Sequence, residues 1–110
     1  MSIGDEQLAT LRQIYPEARL MTEGGAEYVF LPGLKVTVGD QVRELEGLLR
    51  PSQSGGYSTR LYLSAAVPER QQNWQATTIL GRTWHTWSWN NVPATIPLAR
   101  MLCEHLVALR

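Results

Sequence analysis

Glycine and proline interrupt this chain so often that its first half has no room for a long helix. Breaks occur at Pro16, Gly24-Gly25, Pro32-Gly33, Gly39-Asp40 and in the loop 51–56, with only short stretches between them. Glycine and proline at such short intervals favour short strands joined by turns. The 110 residues suffice for one domain, which we place at residues 1-110.

Two segments near the ends of the chain have helical spacing. Their apolar residues recur every three or four positions: Leu8, Leu11, Ile14 and Tyr15 in the first, Leu98, Leu102, His105 and Leu109 in the second. We predict a helix over roughly 5–15, ended by Pro16, because a proline disfavours a helical residue before it. Pro97 suits the first turn of a closing helix, where its missing N–H costs nothing.

Strands are predicted between these helices. The residues 28–38 read as one strand or two, with Pro32-Gly33 as an edge, a bulge or a small turn. The stretch Val42–Leu49 suits either a strand or a helix, and its neighbours favour a strand. Alternation predicts a strand at 57–64, and further β segments lie at 77–80 and 83–89, separated by a break at Gly81-Arg82. The expected fold is α+β: an N-terminal helix, an antiparallel meander of three to four strands, and a C-terminal helix packed on the sheet.

Composition excludes several classes of protein. Ten basic residues balance ten acidic ones, which argues against nucleic acid as a partner. Apolar runs are too short to cross a membrane, and no secretory signal is present, so we expect a cytoplasmic protein. The single cysteine excludes a disulfide framework and a cysteine-rich zinc site. We expect no metal and no cofactor.

Few residues suggest chemistry. Cys103 falls well inside the last helix, away from the end whose dipole would favour a thiolate, so we expect it to be structural. His105 lies in the apolar stripe of that helix and suits a hydrogen-bonded structural role. Trp84, Trp87 and Trp89 form the densest aromatic segment; they either fill the core under the last helix or present a surface for a partner.

Several segments carry a resemblance to a known family. The segment 8–16 ends in a Tyr-Pro pair, 50–63 combines a proline, paired glycines and an alternating strand, and in 89–106 a tryptophan precedes a turn with proline and an apolar helix. Together they resemble the ubiquitin-conjugating-enzyme superfamily with its RWD branch. Leu31-Pro32-Gly33 and the segment 80–89, which reads LGRTWHTWSW, more specifically resemble the divergent prokaryotic conjugating-enzyme family E. The resemblance implies a UBC/RWD-like fold and a place in a bacterial ubiquitin-like conjugation pathway, some of which act in antiviral defense. It implies a ubiquitin-like modifier and an activating enzyme as partners.

The chain departs from that family at the catalytic position. The family's His-Pro-Asn tripeptide is absent, and the segment 80–85, where its cysteine should fall, contains no cysteine. Whether the chain is an enzyme, such as a transferase, therefore stays open. It could act as a conjugating-enzyme-like carrier or scaffold without the usual catalytic cysteine, with the scaffold binding its partner non-covalently, or as a protein–protein interaction module using the Trp-rich strand.

An oxyester is the third alternative. Thr83, Thr86 or Ser88 would take the acyl group, with His85 as the base, because a hydroxyl nucleophile needs a neighbouring base. Asn90 or Asn91 would stabilise the oxyanion. Lys35 is the only lysine, which either protects an acyl carrier from modifying itself or reflects a G+C-rich genome.

Overall fold

A computed structural model describes residues 5–38, 40–51, 59–67, 74–87, 92–93 and 95–108. These residues form two short helices and six strands. In chain order the elements are α1 (Asp5–Arg12), β1 (Arg19–Glu23), β2 (Ala26–Val38), β3 (Gln41–Arg50), β4 (Arg60–Leu63), β5 (Trp74–Ile79), β6 (Arg82–Trp87) and α2 (Leu98–Ala108). Neither helix is long and apolar enough to cross a membrane, judged over the described residues.

All six strands belong to one antiparallel sheet with the order β1-β2-β3-β4-β6-β5. The first four strands follow one another as a meander, and the β5–β6 hairpin joins the sheet through β6. Among the described residues β4 and β6 share one register pair, Leu63 with His85, and the Thr86 hydroxyl donates a hydrogen bond to the Leu61 carbonyl.

The prediction of a conjugating-enzyme-like fold with three to four strands is wrong, because the sheet has six strands and the helices are a minor part. Strand β1 was not predicted from the sequence. Its five residues are all exposed, so they show no alternation of apolar and polar side chains. The predicted break at Gly81-Arg82 lies one residue from the observed turn, in which Leu80 and Gly81 join β5 to β6, but β5 begins at Trp74, three residues before the predicted β segment. The first helix ends at Arg12 rather than near residue 15.

The Pro32-Gly33 pair forms a β-bulge inside β2. The pairing of β2 with β3 slips by one residue between Leu31 and Leu34, and Gly33 has a φ of +68°. A bulge with a left-handed glycine inserts one extra residue and so reverses which side chains face each side of the sheet. Leu31 before the bulge and Leu34 after it consequently reach the same core.

The stretch Val42–Leu49 lies within β3, so the preference for a strand is confirmed. Gly47 explains why a strand suits this sequence. A Cβ atom at this position would lie 2.6 Å from Leu34 Cδ2, closer than two such carbons can approach. The glycine makes room for Leu34 beside the bulge.

Both helices pack on one face of the sheet, which we call the helix face. Leu8 and Leu11 of α1 and Leu98, Met101 and Leu102 of α2 are buried there against the strands. The two helices also bond directly, since the backbone N–H of Leu98 donates to the Gln7 side-chain oxygen (3.0 Å). This bond satisfies one of the free N–H groups at the start of α2.

Candidate functional site

A second apolar cluster lies on the opposite face of the sheet. It contains the buried residues Tyr28, Phe30, Leu48, Tyr62, Ile79 and Trp84. The sheet curls around this cluster, because the backbone N–H of Leu80 donates to Glu23 Oε2 of β1 (2.9 Å) although β6 lies four strands from β1 in the sheet. We call this the concave face. Its curvature brings the turn of the β5–β6 hairpin beside β1 and β2.

Arginines lie over the aromatic rings of the concave face. The guanidinium carbon of Arg82 is 4.6 Å from the centre of the Trp84 ring, and that of Arg19 is 5.2 Å from the Phe30 ring. Arg82 also forms an ion pair with Glu46, whose carboxyl pKa is lowered by this hydrogen bond. A cation over an aromatic face is attracted by the charge distribution of the ring, so these contacts hold the two guanidinium groups in place.

A groove opens between the hairpin turn and β1. It is lined by Arg19, Met21, Phe30, Leu80, Arg82 and Trp84, and its volume is about 270 Å³. We call it the arginine groove. Apolar walls with a few fixed polar groups are typical of ligand sites, and here both charged lining residues are cations.

Leu80 has a backbone conformation that leucine rarely adopts. Its φ is +55°, and Gly81 follows with +72°. Positive φ at both positions matches a type I′ hairpin turn, which strongly favours Asn-Gly over Leu-Gly. A bulky residue in this region costs about 1–2 kcal/mol. Such strain persists where surrounding contacts fix it and clusters at functional sites. In this chain it places a leucine side chain on the wall of the arginine groove.

The two described tryptophans of the predicted partner surface are buried. Trp84 and Trp87 are each 2% exposed, on the concave face and the helix face respectively. The Trp87 ring packs against Trp74, with 5.3 Å between centroids, beneath α2. Trp84 remains part of the site only as a wall of the arginine groove. Trp89 lies outside the described residues.

The candidates for an oxyester mechanism are only partly described. Thr83 is exposed and His85 is half-buried, and both lie on the helix-face side of β6, as alternation predicts. Within the described residues no hydrogen bond joins the two side chains. Thr86 turns to the concave face and donates its hydroxyl to the carbonyl of Leu61 (2.8 Å). Ser88, Asn90 and Asn91 lie outside the described residues.

The last helix carries Cys103 and His105 with different surroundings. Cys103 is exposed. Burial raises the pKa of the Tyr15 hydroxyl, and the neighbouring Cys103 raises it further by a smaller amount. His105 is buried, and its Nε2 lies 2.9 Å from Thr59 Oγ1, which itself donates to the carbonyl of Val92 (2.8 Å). Since that hydroxyl proton is used, His105 Nε2 serves as a donor to Thr59. The expected structural role of His105 agrees with this arrangement.

Sequence reasoning missed the residues of the arginine groove other than Trp84. Arg19 and Met21 lie on β1, which has no periodic signal, and their contact with Leu80 depends on the curl of the sheet. One local signal was available. Leu-Gly between two β segments of similar length predicts a tight turn with a strained first residue.

No family model, curated protein or solved structure matches the chain.

Proposed function

We propose that this chain is a non-catalytic component of a bacterial ubiquitin-like conjugation pathway, in which it binds a ubiquitin-like modifier or its activating enzyme without a covalent bond. The proposal rests on the residues 8–16 and 50–63, which resemble the conjugating-enzyme superfamily, and on 31–33 and 80–89, which resemble its prokaryotic family E. It does not depend on the fold of that family, since the six-stranded sheet differs from it.

One observation carries the non-covalent part of the proposal. The segment 80–85, which the resemblance aligns with the family's cysteine site, forms the strained turn and the first residues of β6. Its side chains build a groove instead of presenting a thiol: Leu80, Arg82 and Trp84 line the arginine groove. The segment thus provides contact area and charge at the position where the resemblance would place a catalytic cysteine.

The charge of the groove indicates which part of a partner would enter it. Arg19 has no ion-pair partner among the described residues, whereas the Arg82 guanidinium forms an ion pair with Glu46. Arginine recognises carboxylates through several parallel hydrogen bonds. Met21 and Leu80 add apolar surface beside these cations. An acidic residue flanked by an apolar one, on the surface of the partner, complements this groove.

The proposal is tested by affinity capture from the native host, followed by intact-mass analysis without reducing agent. We expect a modifier or an activating enzyme to be captured while the mass of the chain stays 12.4 kDa, with or without ATP. Hydroxylamine should leave the spectrum unchanged.

Two other outcomes would contradict the proposal. A mass increased by one small modifier, removed by hydroxylamine and lost in Thr83→Val or Ser88→Ala, would establish an acyl carrier. Capture of proteins unrelated to such a pathway would indicate a general protein–protein interaction module.

A further inference from the structure

A second cavity adjoins the arginine groove at the start of β1. It is lined by Arg12, Pro16, Glu17, Ala18 and Arg19, and its volume is about 500 Å³. We call it the Arg12 cleft. Arg19 lines both cavities, so the cleft and the groove meet at this residue. A ligand in the groove can therefore extend past Arg19 into the cleft.

The two arginines of the cleft are held in place by separate contacts. Arg12 Nε donates to the carbonyl oxygen of Ala18 (2.8 Å), the residue directly before Arg19. The Arg19 guanidinium lies over the Phe30 ring. Among the residues that the structure describes, neither guanidinium forms an ion pair with a carboxylate. Two anchored positive charges therefore lie beside the cleft without an ion-pair partner in the described chain.

The hydrogen bond of Arg12 leaves the outer part of its guanidinium for a ligand. It uses the Nε–H group, and the remaining N–H groups make no hydrogen bond within the described part of the chain. Paired N–H groups of this kind bind a carboxylate through parallel hydrogen bonds. Glu17 is the only acidic residue in the described lining, and its exposed carboxylate pairs with neither arginine. It reduces the positive charge of the cleft without cancelling it.

The geometry points to an extended acidic segment of a protein partner as the occupant of both cavities. In this arrangement an apolar side chain enters the arginine groove, one carboxylate binds Arg19 and a second binds Arg12. An extended chain advances about 3.3 Å per residue, so successive acidic side chains reach both cations. The inference rests on the proposed function, because it extends the partner contact of the arginine groove to a second site.

The walls of the groove favour a protein segment over nucleic acid. Proteins that bind single strands stack the bases on accessible aromatic rings. The rings of the groove, Phe30 and Trp84, are only 9% and 2% exposed, and arginines lie over them. Met21, by contrast, is 37% exposed and lines the same groove as Arg19. Apolar surface beside a cation suits an aliphatic side chain next to an acidic one.

Fluorescence anisotropy of a labelled peptide at low salt tests the cleft. The peptide has one leucine with three glutamates on each side, so it presents carboxylates to the cleft in either chain direction. We expect Arg12→Gln to weaken binding by about fivefold or more, because a charge-assisted contact is lost. Arg100→Gln, on the exposed side of α2, is the matched control and should have little effect. A peptide with glutamines in place of the glutamates should bind the parent chain about tenfold less tightly.

Glu17→Gln provides a test that misfolding cannot imitate. The substitution removes a like charge from the cleft, so the acidic peptide should bind about twofold more tightly or better. Glu6→Gln, at an exposed position of α1, removes the same charge away from the cleft and is the matched control. Added salt should reduce the difference between the two variants, because it screens exposed charges.

Several results would overturn the inference: no binding of the acidic peptide, equal affinities of Arg12→Gln and Arg100→Gln, or no gain in Glu17→Gln over Glu6→Gln. A single-stranded oligonucleotide that binds more tightly than the peptide, with the same dependence on Arg12, would assign the cleft to nucleic acid and would equally refute it.

The inference and the proposed function fail in different ways. Capture of a pathway component equally well by the parent chain and by Arg12→Gln would overturn the inference and leave the proposed function standing. Peptide binding that depends on Arg12, together with capture of unrelated proteins only, would overturn the proposed function and leave the cleft as a site for acidic segments.

Discussion

His105 links the last helix to the rest of the core through Thr59 and Val92. Burial disfavours its charged form and lowers its pKa from an ordinary 6.5 to about 4. The unfolded chain therefore binds the proton more tightly than the folded one. The contribution of neutral His105 to the free energy of unfolding is fully present above about pH 6.5. It decreases as the pH falls from there towards 4.

We predict that the free energy of unfolding drops by about 2 kcal/mol between about pH 7 and pH 5 through His105 alone. His105→Gln retains an N–H donor for Thr59 but cannot titrate, so the variant should lose much less stability over this interval. Urea denaturation at the two pH values measures both chains. Equal losses in the two proteins would show that another group governs the acid sensitivity.

Gly47 supports the irregular part of the core. Gly47→Ala adds a methyl group that collides with Leu34, and we expect a loss of about 1–3 kcal/mol, typical of overpacking. The double variant Gly47→Ala/Leu34→Val removes the colliding Cδ2 atom and should be more stable than the sum of the single effects predicts. Strict additivity in a chemical denaturation cycle would refute the close approach.

Among the elements, the β5–β6 hairpin connects the two faces of the sheet. Trp87 points under α2, Trp84 points into the concave cluster, and the turn crosses towards β1. Trp84 and Trp87 are therefore explained by β6, whose second half is buried on both faces. A sequence in which both faces are apolar shows no alternation that would distinguish core residues from a binding surface.

The strained turn gives a prediction at the same scale. Leu80→Asn suits the left-handed backbone better but removes a leucine that packs against the concave cluster, so these effects oppose each other. We expect the free energy of unfolding to change by less than about 1 kcal/mol while binding of the captured partner weakens several-fold. Thermal denaturation and a binding titration measure the two quantities. Unchanged binding would remove Leu80 from the site.

Over the whole molecule, the sequence predicted both terminal helices, an irregularity at Pro32-Gly33 with a bulge as one of its three forms, and a preference for a strand over a helix at Val42–Leu49. These features have local causes: helical spacing, proline geometry and β propensity. The strand count was wrong because β1 owes its position to pairing with β2 rather than to its own pattern. The arginine groove was missed for a related reason, since it combines Arg19 with Leu80 across the curl of the sheet.

The central claim is that a partner from a ubiquitin-like pathway binds the arginine groove without a covalent bond. Hydrogen exchange of the purified complex tests it most directly, with Arg19→Glu as the groove variant and Arg100→Glu on the exposed side of α2 as the matched control. We predict slower exchange in β1, in the first half of β2 and in the β5–β6 turn. Arg19→Glu should weaken binding by about tenfold or more, and Arg100→Glu should have little effect. Protection confined to α2, or equal affinity of both variants, would contradict the account.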